Sequence, residues 1–172
     1  MRAASVLCLA WLAGCHRQPP PAPPPSLAVA IEAADPASAR QLVRGLHDVE
    51  GTWRWTAGTF AFRLGLPPNA AQQGAALVVE IAVPDPVINA NHDATVACSL
   101  NGVPAPPQIF TTSGRAAYRR VFGPIAGSDA LVECAVSKLF SPGHGERREL
   151  GLIWHSARLE QFPALPDGGH VP

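Results

Sequence analysis

From Leu27 onward apolar residues return at every second position, and that period confines most of the chain to extended strands. "LAVAIEA" puts Leu27, Val29 and Ile31 on one side. "TFAFRLGL" puts Phe60, Phe62, Leu64 and Leu66 on one face, with Ala61, Arg63 and Gly65 on the other. "LVVEIAV" aligns Leu77, Val79, Ile81 and Val83 and turns Glu80 outward; "TVACSL", "YRRVF", "LVECAVSK" and "LGLIWHSARL" continue the series. Between these runs lie turn formers: Pro67-Pro68-Asn69, Pro84-Asp85-Pro86, Asn101-Gly102, Ser113-Gly114, Gly127-Ser128-Asp129 and Ser141-Pro142-Gly143. Short alternating runs at this spacing predict an all-β protein, an antiparallel β-sandwich of jelly-roll type, over residues 27–162, with a flexible tail at 163–172. The best helical candidate is Pro36 to Leu46, with Asp35 as N-cap and Pro36 at the first helical position, although the same residues would also serve to lead into a strand.

Composition supports one domain of this kind. The chain has 172 residues, enough for a sizeable core, and only 15% are charged while 19 are Pro and 15 Gly. Lys and Arg (13) balance Asp and Glu (13), so there is no electrostatic footprint for nucleic acid or an anionic membrane surface.

The N-terminus has its own pattern. In "MRAASVLCLAWLAGC", Arg2 precedes an apolar run from Ala3 to Ala13 that falls short of the ~20 residues needed to span a bilayer and fits the apolar region of an export signal. Leu12-Ala13-Gly14-Cys15 resembles the lipobox of bacterial lipoproteins. The resemblance implies a signal peptide at 1–14, cleavage before Cys15, a diacylglycerol on the Cys15 thiol and acylation (palmitate) of the new amino group. An ordinary secretory signal with a chance cysteine is the alternative. Cys8 would be discarded with the signal. Residues 15–26 then form a lipidated cysteine and a proline-rich linker. Pro19, Pro20, Pro21, Pro23, Pro24 and Pro25 favour polyproline II, so His16 to Pro25, at about 3.1 Å per residue, hold the domain roughly 30 Å from the lipid. By the same resemblance, His16 in place of Asp lacks an inner-membrane retention mark. The expected location is the cell envelope, lipid-anchored at the outer membrane and facing the periplasm in a Gram-negative cell.

Two cysteines remain in the domain. Cys98 lies in line with Val96 and Leu100, and Cys134 with Val132 and Val136, so both face the apolar interior. An exported protein meets an oxidising compartment, which permits a disulfide between them; two small buried thiols that never meet are the alternative.

Reactive motifs are absent. No nucleophile elbow, phosphate loop, zinc signature or cofactor fingerprint occurs. Asn89, Asn91, His92 and Asp93 read as a turn rather than a metal site, and His144, Glu146 and Glu149 lack the ligand set that calcium or zinc needs. Asp48, Glu50, Glu80, Asp85, Glu146 and Glu149 show no spacing that pairs them as a hydrolase would need. Ser156 and His155, adjacent in a strand, point to opposite faces. The arginines at 115, 119, 120, 147 and 148 read as solvated edges and ion pairs. The expectation is a non-catalytic protein without cofactor.

What remains is "EGTWRWTAG". Trp53 and Trp55 share one side of a strand and Arg54 takes the other, with Glu50 just upstream and Trp154 as a third indole from the last strand. Such rings are either a sugar-stacking platform, with Glu50, Trp53, Arg54 and Trp55 as the ligand-binding residues, or large core side chains. Phe60 and Phe62 follow at once, which favours the core, with Arg54 pairing Glu50 or Glu149 at the sheet edge. "LVRGLHDVEGTWRWTAGTFAFRL", "CSLNGVP" and the late "SPG…RELG" resemble small jelly-roll domains related to carbohydrate-binding modules, attached to bacterial envelope glycosyltransferases and polysaccharide-associated proteins. The likeness runs loosely from Leu42 to Leu159. It implies a glycan partner, places Glu50, Trp53, Arg54 and Trp55 at the start of the sandwich, and opens the last strand with Arg148-Glu149-Leu150-Gly151. A structural lipoprotein docking on another envelope protein through a sheet edge is the competing expectation.

Overall fold

The computed structural model describes residues 26–143, 145 and 148–161; the signal, Cys15, the proline linker and the 163–172 tail lie outside the described residues. The strands are β1 (Ala30–Glu32), β2 (Leu42–Glu50), β3 (Trp53–Gly65), β4 (Ala75–Val83), β5 (Ala94–Leu100), β6 (Val103–Pro104), β7 (Gln108–Phe110), β8 (Gly114–Phe122), β9 (Asp129–Val136) and β10 (Ile153–Gln161). All pairings are antiparallel. The hydrogen-bonded order is β6-β5-β9-β3-β10-β4-β8, with β1 on β10, β2 on β3 and β7 on β5.

This order is continuous through β3, yet its two ends meet. The Tyr118 hydroxyl on β8 accepts a hydrogen bond from the Cys98 amide on β5 (3.3 Å) and donates to the Pro106 carbonyl (3.3 Å). Strands so far apart in the order touch only because the sheet folds over on itself. Long β3 makes the fold: its first half pairs with β10 and its second half with β9. The result is a two-layer antiparallel sandwich of jelly-roll type: β8, β4, β10 and β1 with the first residues of β3 in one layer, and the rest of β3 with β9 and β5 in the other, β2 running along β3.

Period two fills the space between the layers. Phe60, Phe62 and Leu64 of β3, Leu77, Val79, Ile81 and Val83 of β4, and Val132, Cys134 and Val136 of β9 are buried, as are Tyr118 and Trp154. Phe62 and Trp154 meet across the layers with centroids 6.0 Å apart. Cys98 and Cys134 stand opposite each other in the β5–β9 register and are joined by a disulfide, with Cα atoms 4.1 Å apart. Val29, by contrast, is 41% exposed, because β1 is only three residues long and turns Ile31 alone inward.

Two expected local structures come out differently. Residues Pro36–Gln41 form a 3-10 helix, capped by the Asp35 carboxylate on the Ala37 amide (2.9 Å), and β2 begins at Leu42 rather than after a helix ending at Leu46. Gly45 shows why: at φ 69° its backbone presses so closely on β3 that a Cβ would lie 1.9 Å from the Thr59 carbonyl oxygen, a bulge position open only to glycine. The segment after Pro84 is a short helix, α1 (Asp85–Asn91), ended by His92 at φ 66°, rather than a bare turn. Proline at the start of a helix and a left-handed residue at its end use the same residue types as a turn.

The sheet edges are covered or irregular. Arg120 reaches the Pro106 and Pro107 carbonyls (2.8 Å each) and Gln108 bonds the Ala117 carbonyl (3.0 Å), so the 104–108 segment lies along β8. Strands β6 and β7 cover β5, and β2 departs from regular register three times.

Candidate functional site

Which face of β3 carries the tryptophans is settled by its neighbour. Trp154 is fully buried and pairs directly with Arg54, so Arg54 takes the inner side of β3 and Trp53 and Trp55 take the outer one. The core reading of these two rings is therefore corrected: both are half-buried on the outer surface, in edge-to-face contact at 5.6 Å. Parity already carried this signal. Trp55 and Phe60 differ by an odd number of positions, and one unbroken strand holds them on opposite faces. Trp154 is no third member of the pair; it is the core indole.

Arg54 also departs from expectation. Its guanidinium donates to the Ala33 carbonyl (2.9 Å) and the His47 carbonyl (2.8 Å) and makes no ion pair with Glu50 or Glu149. It ties β3 to β2 and to the chain leaving β1, on the face away from the rings. Glu50 stands opposite Trp53, on the ring face, and receives Arg148 at 3.3 and 3.4 Å. Of the four candidates, Glu50, Trp53 and Trp55 come together and Arg54 braces them from behind. Arg148 to Gly151 precede β10 rather than open it; the Gly151 amide bonds the Thr56 carbonyl at 2.7 Å.

Register extends this surface across the layer. Trp55 faces Ile153, Ile153 faces Ala82, and Ala82 faces Arg115, a single row over β3, β10, β4 and β8. The next positions outward are Glu80, Ser156 and Ala117. Beyond them runs a charged ladder: Arg119–Glu160 (2.5 Å), Arg158–Glu160 (2.8 Å) and Arg158–Glu80 (3.1 Å). Hydrogen bonding from Arg119, with a further contribution from Arg158, holds the Glu160 carboxyl below its ordinary range against the opposing effect of burial. Ile153, Ala82 and Arg115 were invisible as site residues in the sequence because three separate segments supply them.

A register shift between Trp154 and Ser156 leaves His155 as the extra residue of a bulge, so strict alternation does not hold there. Burial first, then the charge of Arg115, pushes the His155 imidazole down, while Glu80 works the other way. A concavity of about 380 Å³ lies elsewhere, lined by Leu100, Asn101, Val103, Phe122, Pro124 and Ile125 among others, and offers no titratable group. Among the described residues, no group of three or more His, Cys, Asp and Glu side chains is placed to hold a metal ion.

The architecture so defined is that of an all-β sandwich with an aromatic outer face. No family model matches the chain, and no curated protein matches it. Among solved structures, the CBM36-1 domain of a multidomain xylanase from the hindgut metagenome of Trinervitermes trinervoides is similar over 78% of this chain and 97% of that one, at 6% identity and TM-score 0.48. A carbohydrate-binding module CBM36 in complex with calcium and xylotriose is similar over 76% of this chain and 98% of that one, at 12% identity and TM-score 0.44. An acetyl xylan esterase (Est2A) from the rumen bacterium Butyrivibrio proteoclasticus matches 80% of this chain at 12% identity and TM-score 0.47, and the chain spans about a third (34%) of that enzyme. No residue role passes from likenesses this loose.

Proposed function

We propose that this chain is a non-catalytic cell-envelope lipoprotein whose sandwich binds glycan on the outer face of the β8-β4-β10 layer. The observation that carries the reading is the pair Trp53 and Trp55, half-buried on that face and meeting edge to face at 5.6 Å. A large ring held half-exposed by its neighbours offers the apolar C–H face of a pyranose a flat partner at little entropic cost. Glu50, Arg148 and Ser156 lie beside the rings or in the neighbouring rows and supply polar groups for hydroxyls.

The tether would leave from the other end. The Gly65 amide bonds the Ala28 carbonyl (2.8 Å), so the chain enters the domain beside the last residue of β3, whereas the rings sit at its first residues. A strand of that length spans up to about 40 Å at ~3.3 Å per residue. The aromatic face would point away from the anchor. Covered and bulged edges speak against the rival reading, strand addition to another envelope protein.

Titration of the domain with a panel of soluble plant and bacterial polysaccharides, followed by tryptophan fluorescence, tests the glycan reading. Binding lost in folded Trp53→Ala and Trp55→Ala supports it; no binder in the panel overturns it. Expression of Cys15→Ser tests anchoring, since a variant that still partitions with lipid as wild type does would remove the lipoprotein claim.

A further inference from the structure

Among the described residues, four arginines lie on or beside the aromatic face, and three of them hold a carboxylate: Arg148 on Glu50, Arg119 on Glu160, and Arg158 on both Glu80 and Glu160. Arg115 does not. It is exposed, and among the described residues it has neither an ion pair nor a hydrogen-bonded side-chain partner. It also closes the row that Trp55 begins, with only Ile153 and Ala82 between them. Three strand spacings of about 4.8 Å put the backbones of Trp55 and Arg115 roughly 14 Å apart, a span that a short run of pyranose rings bridges. The single methyl of Ala82 leaves the floor low just before the guanidinium.

We propose that this row is a subsite for an acidic glycan: a sugar ring stacks on Trp55, the chain crosses Ile153 and Ala82, and the carboxylate of a uronic acid residue is held by Arg115. The proposal rests on the glycan reading above and names the ligand class within it. A carboxylate suits the place better than a phosphate. The guanidinium fork takes the oxygens of either group bidentately, but one cation that holds no carboxylate among the described residues, with Glu80 nearby, balances a single negative charge rather than two.

The test uses the domain as it stands, against polygalacturonate, alginate, hyaluronate and glucuronoxylan, each beside its carboxyl-reduced neutral counterpart, and against neutral xylan and cellulose oligosaccharides. The expected result is at least tenfold tighter binding of one acidic polymer than of its reduced form, a preference abolished in Arg115→Gln, partly kept in Arg115→Lys, and weakened by salt. Trp55→Ala should lower binding of both forms. Equal affinity for an acidic polymer and its reduced form, or an unchanged preference in Arg115→Gln, overturns the acidic subsite and leaves the glycan reading standing. Binding confined to the neutral oligosaccharides does the same. No binding in any arm overturns both. Arg115 is exposed and outside the core, so an unchanged circular dichroism spectrum and melting midpoint will certify its variants as folded, and an unchanged spectrum with a cooperative transition will certify Trp55→Ala.

Discussion

Trp154 and Arg54 face each other where β10 meets β3, one as a buried indole and the other as a guanidinium clamped to two backbone carbonyls. That register point decides the character of the whole surface. With Trp154 inward, its partner position must be inward too, and the residues on either side of Arg54 are turned to solvent.

The three domain tryptophans should therefore differ sharply. Trp154→Ala removes a core ring packed on Phe62 and should cost about 3–5 kcal/mol. Trp53→Ala and Trp55→Ala break the edge-to-face pair, worth about 0.5–1.5 kcal/mol beyond the area lost, and leave the fold intact. Urea unfolding of the three variants checks the ranking, which reverses if the outer rings are the structural ones.

Arg54 should matter without touching ligand. Arg54→Ala strands the Ala33 and His47 carbonyls and should cost about 1.5–3 kcal/mol, the range for hydrogen bonds from a charged donor. Glycan affinity should fall with it, because the strand end that presents Trp53 and Trp55 loses its brace. Chemical denaturation and a binding titration on the same sample read both effects.

Cys98 and Cys134 close a loop across a separation of 36 residues, for which the chain-entropy model assigns roughly 4 kcal/mol. The double variant Cys98→Ser, Cys134→Ser should unfold at markedly lower denaturant concentration than the oxidised wild type. Wild type under reductant should approach it. A reduced protein as stable as the oxidised one would contradict this.

The acid side of the stability profile should carry the His155 signature. Its folded value lies below the ordinary imidazole value, so the unfolded state binds the proton more readily. The associated stability is complete above the ordinary range and is lost as pH falls from there through the folded value. Arg115→Gln should raise the imidazole titration midpoint and Glu80→Gln should lower it further, both followed by proton NMR of the His155 ring. Movement in the opposite directions would remove the electrostatic account of this corner.

Much of the sandwich was legible residue by residue. Phe60, Phe62 and Leu64, or Leu77, Val79 and Ile81, are buried because alternation is a local property of an extended backbone and the same parity that groups them also hides them. Asn101-Gly102 marks a hairpin because both residues take positive φ (50° and 80°) at little cost. Asp35 caps the 3-10 turn as its neighbours require. Trp53 and Trp55 stand near the phenylalanines in the chain, yet their opposite parity puts them on the other face. The partners of Arg54 were not legible, because its two carbonyls come from β2 and from the chain after β1.

The sequence by itself determined the strands, their turns and which residues of each strand travel together. Only the tertiary structure decided which of the two faces is wet and which residues form a row across it. Parity sorts side chains into two sets but does not say which set meets the other layer; that follows from how β3 folds the sheet over, carrying Tyr118 to Cys98 and Trp154 to Phe62. The alignment of Trp55, Ile153, Ala82 and Arg115 depends on register between strands far apart in the chain. A slip of one residue in any of those pairings would turn the row inside out.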